Sequence, residues 1–255
     1  MNSTSCKTFF LGAAAALALW AAAPAAMAAS ISYPDQGPLP PGYMFTDISE
    51  SSGTDPVPLY GPPTPFLLGL DFTPVGFGAS AAGGSADLTH GQLNYTIMAG
   101  PNTPGIPIVS FAESGLFSLA GAGTAATSVT AGASLRVTVR EINGASVAPI
   151  LLAPAVASVS YDLLGNPGVN QPWGLSATVN VAAQLFALLG PNNVATKADV
   201  VIDNALAAIS ESLTNASIIK TDIDVTVTPE PAAGLMMGLA LLAVPRRRYR
   251  RATAA

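Results

Sequence analysis

Apolar and polar side chains alternate with a period of two along much of this chain, the pattern of strands with one face in a core and one in solvent. Leu93, Tyr95 and Ile97 alternate with Gln92, Asn94 and Thr96, and Leu135, Val137 and Val139 with Arg136, Thr138 and Arg140. The last stretch is the clearest: Ile219, Ile223, Val225 and Val227 share one parity, while Lys220, Asp222, Asp224 and Thr226 share the other. Residues 108–111 and 116–119 flank Glu113-Ser114-Gly115, where glycine can supply the positive φ of a hairpin turn. One segment breaks the pattern. Val181 to Leu189 is built of helix formers and ends at Gly190-Pro191, which predicts a single short helix. Strands separated by Gly, Pro, Asn and Ser turns, without alternating helices, predict a mainly β fold, an antiparallel β-sandwich of jelly-roll or Ig-like type.

The sandwich is expected over residues 66–227. Residues 29–65 are rich in proline and glycine, and proline removes ladder donors. They predict an extended N-terminal segment with at most a short edge strand at residues 43–48.

Both ends carry addresses. Residues 1–28 have the form of a secretory signal: Lys7 gives a positive start, an apolar stretch follows, and Ala26-Met27-Ala28 is an A-x-A cleavage site. Cys6, the one cysteine, leaves with it. The mature chain then has no disulfide, thiolate metal site or cysteine nucleophile. At the other end, Pro229-Glu230-Pro231 is extended, since proline bars its preceding residue from helical angles. The uncharged run 232–245 follows, 14 residues or about 21 Å as a helix against a ~30 Å hydrocarbon core. Arg246, Arg247, Arg248, Arg250 and Arg251 then form a cytoplasmic stop by the positive-inside rule.

This order, over residues 228–255, resembles the PEP-CTERM sorting signal of bacteria that export exopolysaccharide. The resemblance implies that Pro229, Glu230 and Pro231 are recognised by an exosortase, a membrane-embedded cysteine protease or transpeptidase. It implies transit through the secretion machinery, signal peptidase and the inner membrane. The destination is then the cell surface, outer envelope or extracellular matrix, beside extracellular polysaccharide. The body resembles no family of known activity.

Charge narrows the partners. The chain carries −5 overall, but the body between residues 29 and 228 holds four basic and fourteen acidic side chains, a net −10. Such a surface repels nucleic acid and anionic lipid.

Catalytic chemistry is sparse. The single histidine, His90, sits in a turn-like segment, and no G-x-S-x-G elbow, H-E-x-x-H, P-loop or dinucleotide fingerprint accompanies it. Carboxylates remain. Asp222 and Asp224 share a side of the last strand, and Asp199 and Asp203 share a side of another over residues 198–205. The spacing of Asp222 and Asp224 suits a glycosidase pair or a cation site. Oxygen ligands of this kind select Ca²⁺, and polar residues on the wet face of a strand give the same pattern. Trp173, in Pro172-Trp173-Gly174, is either an exposed platform for a sugar ring or a buried cap on the sandwich. The sequence therefore predicts a non-enzymatic structural or adhesive surface protein without a cofactor. A carbohydrate-binding matrix module is the alternative.

Overall fold

The structure, a computed structural model, describes residues 29–228. Of these, 66% lie in strands and 4% in helix. In chain order the strands are β1 (Ala29–Ser32), β2 (Gln36–Leu39), β3 (Tyr43–Ser52), β4 (Pro63–Phe66), β5 (Gly69–Phe72), β6 (Gly78–Ala82) and β7 (Ala86–Ala99). There follow β8 (Ile108–Gly121), β9 (Ser128–Ile142), β10 (Ala145–Leu151), β11 (Ala155–Asp162) and β12 (Gly168–Asn180). Helix α1 (Val181–Leu189) precedes β13 (Ala195–Ile209) and β14 (Thr214–Thr228). The first sheet has eight strands in the order β1-β3-β7-β13-β9-β10, with β2 beside β3 and β11 beside β9. The second has six, in the order β12-β8-β14-β5-β4, with β6 beside β14. Every pairing is antiparallel.

The alternation read from the sequence sets which faces meet. Leu93, Tyr95 and Ile97 of β7, Leu135, Val137 and Val139 of β9, and Val109, Phe111 and Phe117 of β8 are buried in one apolar core. That core is shared by the two sheets, as in a sandwich. Across it Phe117 stacks on Tyr161 of β11, with ring centroids 4.2 Å apart.

Four expectations are corrected. Residues 29–65 are not a separate segment: β1, β2 and β3 belong to the first sheet, β3 pairs with β7 away from the edge, and Tyr43, Phe45, Ile48, Leu59 and Tyr60 are core residues. The prolines punctuate these strands at their ends and connections rather than preventing them. Glu113-Ser114-Gly115 is not a turn, because β8 runs through it and Glu113 and Gly115 hold the inward parity of Phe111 and Phe117. His90 lies within β7 rather than in a turn.

The fourth correction concerns β14, whose register against β8 shifts between Lys220 and Asp222. One extra residue at such a bulge exchanges the two faces. Before it, Ala216, Ile218 and Lys220 point inward and Ile219 is exposed; after it, Ile223, Val225 and Val227 point inward.

Helix α1 forms where the sequence places it. The Asn180 side chain accepts a hydrogen bond from the Ala183 amide, and Gly190 closes the C-terminus at φ +85°, where a glycine is favoured. Val181 and Leu185 are buried, so α1 caps one end of the sandwich as the chain crosses from β12 to β13. Among the described residues no helix is long and apolar enough to cross a membrane. The secretory signal expected at 1–28, with Ala26 and Ala28, and the sorting signal expected at Pro229, Glu230 and Pro231 and the arginines of 246–251, lie outside the described residues.

Candidate functional site

The outer face of the first sheet is set with polar side chains, among them Gln92, Ser134, Arg136 and Asp203. Strand register aligns His90 with Ala205 and Gly132, and Gln92 with Asp203 and Ser134. At these positions small residues on β13 and β9 leave open depressions of about 230 and 520 Å³, which share His90, Ser134, Val156 and Asp203. Arg136 and Pro154 complete the larger one, and Gly132 and Ser158 contribute to the smaller. Partial burial lowers the His90 pKa, so the ring is neutral near pH 7.

Two carboxylates expected from the sequence as calcium ligands sit on this face and are already engaged. Asp203 pairs with Arg136 and accepts from Gln92 Nε2 at 2.7 Å. Asp199 pairs with Arg140 and accepts from Thr96 Oγ1 at 3.1 Å. An arginine beside each supplies the positive charge that a cation would bring.

Asp222 and Asp224 lie instead on the outer face of the second sheet, where Asp224 is directly opposite Asp71 of β5. Burial and then the neighbouring Asp222 and Asp224 charges raise the Asp71 pKa; burial and then Asp222 raise that of Asp224. Like charges crowded together favour proton uptake. Among the described residues no group of three or more His, Cys, Asp or Glu side chains is arranged to hold a metal ion.

Trp173 is buried at 4% exposure, which removes it as a sugar platform. Its indole fills the space left by Gly115, where a Cβ would stand 2.7 Å from Nε1, and Nε1 donates to the Ile219 carbonyl at 3.0 Å. The tryptophan thus covers β8 and the bulged part of β14.

Beneath it lies a polar cluster that the alternation pattern does not reveal. Lys220 Nζ is 2.7 Å from Glu113 Oε2, both side chains fully buried, and 4.3 Å from the centre of the Phe77 ring. Phe77 meets Tyr60 edge-on at 5.2 Å. The Tyr60 hydroxyl donates to the Gly91 carbonyl and accepts from Asn204 Nδ2. Glu50 accepts from the Leu59 and Tyr60 amides and from the Tyr33 hydroxyl. Burial pushes the Glu113 pKa up and the Lys220 pKa down, and each partner's charge opposes the other's shift. Of these groups only Asn204 lines one of the depressions around His90 or α1; the Lys220–Glu113 pair, Phe77, Tyr60 and Glu50 line none of them. Their chemistry is structural: they fix the pairing of β8 with β14 and anchor residues 59–60 between the sheets.

No family model matches the chain, and no curated protein matches it. Among solved structures, TmCBM61 in complex with β-1,4-galactotriose aligns over 64% of this chain and 73% of its own, at 6% identity and TM-score 0.22. The infectious bursal disease virus Gt strain structure aligns over 79% of this chain and 57% of its own, at 11% identity and TM-score 0.14. Both TM-scores are too low to bear on function, and the chain is assigned to no family by these likenesses.

Proposed function

We propose that this chain is an exported surface protein, sorted to the envelope or exopolymer, whose sandwich acts as a structural and adhesive module and not as a catalyst. One observation carries the reading. Strand β14 lies inside the second sheet and stays paired to β8 as far as Thr228, opposite Ile108, so the sequence Pro229-Glu230-Pro231 follows a locked strand with no linker between them. A proline-rigid motif issuing from a fixed strand is a short, extended substrate for a membrane enzyme. Replacing Pro229, Glu230 and Pro231 by alanine is expected to strand the protein in the inner membrane, as read by fractionating cells of the native host. An unchanged distribution between membrane and surface would contradict the reading.

A second reading, carbohydrate binding, is favoured by the depressions around His90. They combine hydroxyls, an ion pair and the apolar Val156, groups that match the alternating polar and apolar faces of a sugar. Gly132 offers a clean test, because a Cβ there meets only the Ala157 carbonyl at 4.0 Å. Gly132→Leu fills the smaller depression without backbone strain. Calorimetric titration with the native exopolymer is expected to show binding that this variant weakens about tenfold or more, ~1.4 kcal/mol. No binding by the unmodified protein would remove this reading.

A further inference from the structure

The end of the sandwich from which the chain continues into the Pro-Glu-Pro sequence is unlike the opposite end. At Thr228 the strand order sets three strand ends side by side: Asn180 of β12 is opposite Ile108 of β8, which is opposite Thr228 of β14. With strands about 4.8 Å apart, the start of α1 is about 10 Å from Thr228 on one side. On the other side, the Val227 amide bonds the Leu68 carbonyl in the β4–β5 turn. Thr228, the last described residue, therefore lies between two lobes.

Both lobes are apolar and open. Phe186, Leu188 and Leu189 of α1 are 63%, 60% and 48% exposed, and Leu67 is 65% exposed. Val194, exposed beside α1, lines with Phe186 a depression of about 310 Å³. Exposed leucines occur at the far end too, Leu213 among them, so exposure alone decides nothing. Charge separates the ends. The connections at the Thr228 end, residues 40–42, 67–68, 100–107, 143–144 and 181–194, contain no Asp, Glu, Lys, Arg or His. The charges next to them, Glu141 near the end of β9 and Lys197 near the start of β13, are of opposite sign and directly opposite each other in register. The far end carries Asp87, Asp162 and Glu211 at or next to its turns.

We infer that the Thr228 end is a docking face for a lipid bilayer, seating α1 and Leu67 in the interface while the chain passes between them. The inference rests on the export and sorting reading for its setting. A body of net −10 is repelled by an anionic leaflet and loses hydration wherever a charge meets lipid. The Thr228 end, with uncharged connections and with Glu141 and Lys197 opposite each other behind them, carries the smallest part of both costs, and its apolar side chains gain by leaving water in proportion to the area they bury. The uncharged run 232–245 starts four residues beyond Thr228, which at ~3.4 Å per extended residue keeps this end within about 14 Å of any bilayer that run enters. Docking fixes the height and orientation at which the Pro-Glu-Pro sequence meets a membrane-embedded enzyme.

The test uses the full chain with Cys6→Ser, reconstituted in vesicles of phosphatidylethanolamine and phosphatidylglycerol. Single cysteines at Leu188, Leu67 or Leu213 carry an environment-sensitive fluorophore. Leu188→Cys and Leu67→Cys labels are expected to shift to the blue and be quenched by brominated lipid, whereas Leu213→Cys stays in water. Adding Phe186→Glu, at an exposed position that leaves the core intact, is expected to abolish quenching at Leu67→Cys. Labels at all three positions equally wet would overturn the inference. A blue shift at Leu188→Cys that grows with protein concentration without vesicles would assign the face to a second copy and overturn it. A lipid-independent shift lost on ending the chain at Thr228 would assign it to the chain's own apolar run and overturn the inference as well. The sorting reading fails separately, on the cell fractionation of the Pro229-Glu230-Pro231 alanine variant. Wet labels beside a stranded variant sink docking alone; lipid-bound labels beside a normally distributed variant sink sorting alone.

Discussion

Glu113→Ala is expected to destabilise the protein by about 3–5 kcal/mol in urea unfolding, because it leaves Lys220 as a buried cation with no counter-charge. The pair is fully enclosed, and Phe77 faces the ammonium with a ring and not a hydrogen-bond acceptor. The loss should depend on pH with a definite sign. Burial already lowers the Lys220 pKa, and removing the Glu113 charge, which raises it, lowers it further. Between that depressed value and the ordinary ~10.4 of lysine, the unfolded chain binds more protons than the folded one, so the variant gains stability as pH rises through this window. The double substitution Glu113→Leu with Lys220→Met removes both charges and keeps the volume. It should recover most of the loss, since a buried ion pair and an apolar replacement of similar size are often equivalent. A Glu113→Ala variant as stable as the parent would show that the pair is not sealed in the core.

Ile223→Asp should abolish cooperative folding, a loss above about 4 kcal/mol. Ile223 is fully buried on β14 directly opposite Glu113, so the substitution sets a second carboxylate beside the first with one lysine between them. Asp224→Ile, one residue on, faces outward next to Asp71 and Asp222. It should stay within about 1 kcal/mol of the parent, since surface changes are usually small. A thermal melt in which both variants match the parent would place residues 218–227 outside the folded body.

These two sites show what the chain's pattern could and could not tell. Strands β7 and β9 were legible because their inward residues are aliphatic or aromatic and their outward ones polar without exception over six residues. The helix was legible from its composition and the Gly190-Pro191 stop. In β8 and β14 the inward parity is interrupted by Glu113 and Lys220, and each breaks the rule only because the other satisfies it. A single strand read alone turns Glu113 into a turn residue and Lys220 into a surface one. The bulge after Lys220 compounds the error, since a shift of one residue is invisible to parity counted from Val227 backwards. The prolines of residues 29–65 misled for another reason: proline excludes a ladder donor at its own position and says little about Tyr43 to Ser52, which contains none.

The candidate sites divide along the same line. Asp199 and Asp203 do share one face, as their parity implies, but the arginines that neutralise them come from β9, a strand about sixty residues away in sequence, and only the register of β13 on β9 brings them together. Trp173 was readable as a buried cap, yet what buries it is the absence of a side chain at Gly115 on the neighbouring strand. The depression around His90 depends on Gly132 and Ala205 lying in one row, again a matter of register.

The claim that this is an exported and sorted surface protein is tested most directly by intact-mass measurement of the protein recovered from the native cell envelope or exopolymer. The account predicts a species lacking both residues 1–28 and the Arg246, Arg247, Arg248, Arg250 and Arg251 cluster, with the body from about Ala29 to Thr228 intact. Recovery of the surface form with its full arginine tail would contradict sorting and leave a plain membrane anchor.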